Sequence, residues 1–275
     1  MIRDITIGQY YKADSVIHRL DPRVKLMGTL IFIISLFMGM NIWIYAVVTV
    51  ALAVVIKMSR IPLKFMVRGL KSIVILIIIS AVFNLFLTPG DVFIQIWKLT
   101  ITYQGLKMAI FMVVRLIYLI VGTSLMTLTT TPNNLTDGLE KGLGFLKVIK
   151  VPVHEIAMMM SIALRFIPIL IEETDKIMKA QMARGADFEN GSLIKRAKAM
   201  VPILVPLFVS AFRRANELAM AMEARCYHGS EGRTKMKPLK YEKRDRIAYI
   251  SMVLYLGVII IVKIIACLLY TSPSP

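Results

Sequence analysis

Long apolar runs alternate along the chain with short polar joints, and most of the runs have the length of a helix. Residues 26–56 are apolar almost without a break. As one helix this run would be roughly 46 Å long, against ~30 Å of bilayer hydrocarbon. Gly39-Met40-Asn41 lies at its middle, and Lys25 and Lys57 flank it. Two short spans joined by a tight turn put both basic flanks on one side, so the run predicts a helical hairpin. A third span is predicted over about 73–87, ended by Thr88-Pro89-Gly90, and a fourth over about 106–128, ended by Thr-Thr-Thr-Pro at 129–132. A last span is predicted over about 247–270. The long segment between the fourth and last spans exceeds what a structureless loop can hold. The predicted fold class is therefore an all-α membrane protein, with about five transmembrane helices and long cytoplasmic helices inserted before the last. Residues 1–132 would hold the N-terminal segment and four spans, 133–245 the inserted helices, and 246–275 the last span and tail.

Charge decides the orientation. The chain is 57% hydrophobic, above the ~45–50% of soluble domains, yet carries 34 Lys+Arg against 17 Asp+Glu. That combination points to a bilayer protein with basic inner loops. Only 9% of residues are aromatic, most of them inside the apolar runs, which excludes a nucleic-acid surface built on interleaved rings. Basic residues gather ahead of the first span (Arg3, Lys12, Arg19, Arg23, Lys25) and between the second and third (Lys57, Arg60, Lys64, Arg68, Lys71). The first turn has none, and the loop 88–105 has only Lys98. The N-terminus and the insertion are therefore expected in the cytoplasm and the C-terminus outside, in a cell membrane.

Two stretches of the insertion, 156–171 and 199–212, imitate spans. Crossing the bilayer there would place Lys176, Lys179, Arg184, Lys195, Arg196 and Lys198 outside, against the rule that the other loops obey. Both are short and carry Arg165, Pro168, Pro202 and Pro206, which read as structural residues of helices lying near the inner membrane surface.

The insertion also contains a weak repeat, in which an apolar, proline-containing start leads through a polar helical stretch to Ala-x-x-Ala-Arg. One copy ends Ala180-Gln-Met-Ala183-Arg184-Gly185, the other Ala221-Met-Glu-Ala224-Arg225-Cys226. Gly185, with Asn190-Gly191 after it, predicts a helix C-terminus, and Tyr227-His228-Gly229 is expected to play that part in the second copy. An arginine on a last turn can simply complement the helix dipole. It can also anchor in a partner's groove through several fixed hydrogen bonds. Two equivalent tips with small residues beside each favour the anchor, and two similar partner subunits.

With these elements in order, the chain resembles the transmembrane coupling subunit, or T component, of energy-coupling factor transporters. The resemblance is carried by Ser15-x-x-His18-Arg19-Leu20-Asp21-Pro22-Arg23-x-Lys25, by Thr-Thr-Thr-Pro-Asn-Asn-Leu-Thr-Asp-Gly-Leu-Glu at 129–140, by Leu164-Arg165-Phe166-Ile167-Pro168, and by the two Ala-Arg elements. It implies a complex importing vitamins, or cobalt or nickel. In such a complex Ala183, Arg184 and Gly185 dock on one ATPase subunit and Ala224, Arg225 and Cys226 on a second. ATP-driven closure would move the inserted helices and with them a separate substrate-binding membrane subunit. Cys226 departs from the pattern, which has glycine there.

Other chemistry is scarce. No Gly-x-x-x-x-Gly-Lys-[Ser/Thr] occurs, so ATP would be bound by partner chains and no cofactor by this one. His154-Glu155 lacks the second histidine of a zinc-protease signature, and three scattered histidines predict no metal site. Cys226 and Cys267 read as small apolar residues rather than a disulfide. Asp137, Glu140, Glu172, Glu173 and Asp175 read as solvated helix faces. Arg115, inside the fourth span with no acidic partner in the spans, reads as a structural residue that snorkels or bonds a carbonyl. The segment 18–23 is either a lipid-headgroup anchor or a clamp against the insertion. A solute-binding permease remains the alternative function, although polar residues within the spans are few.

Overall fold

The computed structural model describes residues 10–271 apart from 63, 67–69, 71–72, 97–98, 187, 189–191 and 230–237. Arg3, Arg68, Lys71, Lys98, Asn190-Gly191 and the tail from 272 lie outside the described residues. The chain forms two units, one of residues 8–138 and 239–275, the other of 1–7 and 139–238.

In the first unit the apolar run 26–56 divides as the charge pattern predicts. Helix α1 covers Pro22–Phe37 and α2 covers Ile42–Ser59. Asp21 starts α1 by accepting the Arg23 N–H at 2.9 Å, with proline at the first helical position where a missing N–H costs nothing. Asn41 starts α2, its side chain accepting the Trp43 N–H at 3.2 Å. Helix α3 covers Val74–Leu87. Strands β1 (Val92–Ile96) and β2 (Leu99–Thr102) follow, pairing antiparallel with Ile96 opposite Leu99. This small hairpin is the one sheet among the described residues, and it was not expected above, although Leu99-Thr100-Ile101-Thr102 alternates apolar and polar. Helix α4 covers Tyr103–Thr129, α5 Pro132–Gly142, and after the second unit the last helix, α8, covers Lys243–Thr271.

Helix α4 is the axis of this unit and packs on α1, α2 and α3, while α8 packs on α1 and α2. One apolar core joins Leu36, Ile44, Tyr45, Val48 and Ile259. Another, at the opposite end of α4, joins Ile17, Ile61, Met66, Leu125 and Leu128. Close approach of α1 to α4 depends on Gly122, where a Cβ would stand 2.4 Å from the Phe32 ring. The outward faces are apolar as well: Ile75, Leu76, Val253 and Leu254 are all exposed. Apolar faces of this extent need hydrocarbon around them. Helices α2, α4 and α8 are long and apolar enough to cross a bilayer, and α3 is a shorter apolar helix.

The second unit is helical among its described residues. A 3₁₀ turn at Gly144–Ile149 leads to α6 (Val153–Ala183), and α7 covers Leu193–Glu223. Helix α6 also meets the length and hydropathy of a span. Both helices contain the prolines singled out above, and Pro168, Pro202 and Pro206 are all exposed inside them. A proline there cannot donate to the carbonyl one turn back. Arg165 is exposed and pairs with no described residue.

Candidate docking site

The two Ala-Arg elements become the same object in three dimensions. In α6 the Gly185 N–H donates to the Met182 carbonyl and the Ala186 N–H to the Gln181 carbonyl, both at 3.0 Å. In α7 the Cys226 N–H donates to the Glu223 carbonyl at 2.8 Å and the Tyr227 N–H to the Met222 carbonyl at 3.1 Å. Each pair is a Schellman closure, which needs its next-to-last residue in the left-handed region. Gly185 has φ +87° and Cys226 has φ +53°. Arg184 and Arg225 therefore hold equivalent cap positions, and both are exposed together with Ala183, Ala224 and Cys226. For the second copy the turn falls one step earlier than expected. Gly229 also has positive φ (+96°), but the closing residue of α7 is Cys226 and not the Tyr227-His228-Gly229 segment.

Helices α6 and α7 run in opposite directions against each other. Gln181 Nε2 donates to the Pro202 carbonyl at 3.4 Å. Further back along α6, Glu173 accepts from Ser210 Oγ at 2.9 Å and from Arg214 Nη2 at 2.6 Å. Beyond these contacts the helices leave an open apolar groove of about 310 Å³, lined by Ile162, Phe166, Leu170, Ala215, Leu218 and Met222 among others. Glu173 and Arg214 are separated by the same 41 residues as Arg184 and Arg225. The ion pair thus joins equivalent positions of the repeat and marks a local two-fold axis. Each arginine tip lies eleven residues beyond that axis, about 16 Å along its helix.

This corrects the reading of Glu173 as a solvated helix face. Glu140 is corrected likewise, since its Oε1 lies 2.9 Å from His154 Nδ1 and its side chain is largely covered. The signal that could have found Glu173 was the repeat itself, extended past its motif to ask which charges share the register.

The segment 18–25 is an intraprotein clamp. Tyr11 donates its N–H to the Leu128 carbonyl at 2.9 Å. Lys25 Nζ donates to the carbonyls of His18 at 3.1 Å and Thr129 at 2.8 Å. The buried Asp245 carboxylate accepts the Asp21 N–H at 2.9 Å and the Glu242 N–H at 2.8 Å. Arg23 pairs with Asp21 at 2.9 Å and stacks 4.0 Å from the Tyr241 ring centre. His18 Nε2 faces the Tyr11 carbonyl at 3.0 Å, which can only accept, so the ring carries its proton there and Nδ1 accepts from Ser15 Oγ at 2.7 Å. Burial holds the His18 pKa below the ordinary histidine value, helped by the Lys25 ammonium and opposed by the Tyr11 carbonyl. The segment grips the end of α4 and, through Tyr241 and Asp245, the last residues of the predicted insertion 133–245, which is the clamp of the two readings given above. Among the described residues no three His, Cys, Asp or Glu side chains gather as metal ligands.

An apolar helical bundle with exposed hydrocarbon-like faces, joined to a unit of two long arginine-tipped helices, defines a multi-pass membrane protein. Comparison with known proteins narrows the class. The family model CbiQ, described as a cobalt transport protein, matches residues 13–236. The energy-coupling factor transporter transmembrane protein EcfT of Clostridium kluyveri is 54% identical over 266 residues, 96% of this chain and 98% of its own length. Proteins of the same description from Thermosediminibacter oceani and Bacillus subtilis are 56% and 47% identical, over 91% and 92% of this chain and 94% and 96% of theirs. The chain belongs to this family of energy-coupling factor transmembrane components.

Proposed function

We propose that the chain is the non-catalytic coupling subunit of an ATP-driven importer, with the α6 and α7 tips docked on two ATP-binding-cassette ATPase subunits. The observation that carries this reading is the matched pair of Schellman ends, which present Arg184 and Arg225 as exposed equivalents about the Glu173–Arg214 axis. Two related tips on one two-fold pair suit two related partners. ATP is bound by those partners, and their motion passes through α6 and α7 to a separate membrane subunit that binds the solute. Both helices lie along the inner membrane surface in this reading, because their lysines and arginines forbid crossing. The N-terminus is inside and the C-terminus outside. Vitamins are the first solute class, and the match to a cobalt transport family favours cobalt as the second.

Co-purification tests it. The wild-type chain should bring down two ATPase subunits, and the Arg184→Glu, Arg225→Glu double variant should lose them while still reaching the membrane. Normal assembly and ATP hydrolysis with the double variant would refute docking through the tips. Solute uptake by this chain alone in vesicles would favour a permease instead.

A further inference from the structure

Arg115 sits midway along α4 and is buried to 8% exposure. Its Nε donates to the Tyr45 hydroxyl at 3.0 Å, and its guanidinium carbon lies 5.1 Å from the centre of the Phe37 ring. Phe37 is the last residue of α1 and Tyr45 lies in the first turn of α2, so the guanidinium is held where these helices meet. Among the described residues no carboxylate pairs with it, and its two terminal nitrogens have no acceptor. Nor are those nitrogens among the atoms sealed from the surface. One nitrogen is fixed and a fork of donors is left open.

Depth decides what can meet that fork. The Lys25–Thr129 bond sets the other ends of α1 and α4 at one level. From Thr129 to Arg115 is about 21 Å of helix, and the whole of α1 is about 24 Å, both short of a ~30 Å hydrocarbon core. A hairpin this short is met by local thinning of the bilayer or by snorkelling of its flanks, and thinning brings headgroups toward the α1–α2 turn. Trp43, 67% exposed beside the turn, has the position of an interfacial ring. At that level the acceptor that matches a guanidinium in charge and shape is a lipid phosphate.

We propose that Arg115, positioned by Tyr45 and Phe37, binds the phosphate of a phospholipid in the leaflet at the α1–α2 turn. The proposal is independent of the coupling reading. Ester carbonyls are uncharged and weaker acceptors, so diacylglycerol, which has them without phosphate, is the control. Native mass spectrometry of the full chain, supplied with phosphatidylglycerol, should show one retained lipid that Arg115→Met loses. The lipid-bound fraction should fall about tenfold, the scale of one charge-assisted hydrogen bond. Arg115→Lys should retain part of it. Tyr45→Phe should weaken retention without touching the charge, and it carries the test if Arg115→Met does not fold. Equal retention by wild type, Arg115→Met and Tyr45→Phe, or diacylglycerol held as firmly as phosphatidylglycerol, would overturn the proposal. Displacement of the lipid by millimolar inorganic phosphate would overturn the lipid assignment in favour of a free-anion site.

Discussion

Cys226 stands where the closure of α7 requires a left-handed backbone, at φ +53°. A side chain in that region costs about 1 kcal/mol relative to glycine. The first tip has glycine at the equivalent position, Gly185. The neighbouring hydrogen bonds are nonetheless the same at both tips, so the strain is absorbed without opening the turn. Cys226→Gly should release it. The expected outcome is about fivefold slower amide exchange at Tyr227, whose N–H closes the turn on Met222. Exchange that is unchanged or faster would mean the cysteine is not strained. Arg184 and Arg225 touch nothing that an exchange experiment on the turn would confuse with docking, because both are exposed.

At the scale of elements, the polar contacts between α6 and α7 among the described residues centre on the Glu173–Arg214 pair with Ser210. Both side chains are partly solvated, 27% and 36% exposed, so the pair contributes at most about 1 kcal/mol. Its position matters more than its strength. Each tip extends about 16 Å from this point, so a small change of crossing moves both tips by a magnified amount. Glu173→Lys sets two cations at the axis, and spin labels placed beside the tips should then report a broader distance distribution. Adding Arg214→Glu to that variant restores an opposite-charge pair and should narrow the distribution again. A distribution that ignores both changes would remove the ion pair from the account of how the tips are spaced.

The same pair shows what a sequence can and cannot disclose. Span positions were legible because apolar runs and their basic flanks are local properties, and α1, α2, α3, α4 and α8 fall where those runs lie. The two tips were legible because Ala-Arg recurs with small neighbours. Glu173, Glu140 and Asp245 were not, since a carboxylate on a helix looks solvated until its partner is known. Ser210 and Arg214 lie a whole repeat away from Glu173, and Asp245 meets the N–H of Asp21 from the far end of the chain. The hairpin β1–β2 was hidden for another reason. Only Leu99-Thr100-Ile101-Thr102 alternates, four residues that are too few to stand out between two apolar helices.

For the whole molecule, orientation is the statement on which docking depends, since partners that hydrolyse ATP must be reached from the cytoplasm. Helix α2 gives the simplest place to test it. Its start follows the uncharged turn at Met38–Asn41, and its last turn carries Lys57. Exposed Met40 and exposed Lys57 sit at its opposite ends, one helix length apart. Cysteines placed there one at a time, in a chain lacking Cys226 and Cys267, can be labelled with a membrane-impermeant maleimide. Met40→Cys should react in intact spheroplasts, and Lys57→Cys only once the membrane is opened. The reason is energetic: a helix end rich in lysine and arginine is retained on the cytoplasmic side, and every described joint of this bundle agrees on which side that is. The reverse pattern would put Arg184 and Arg225 outside, where no ATPase could meet them. A label at both positions from outside would mean α2 does not cross, and the five-span bundle would have to be redrawn.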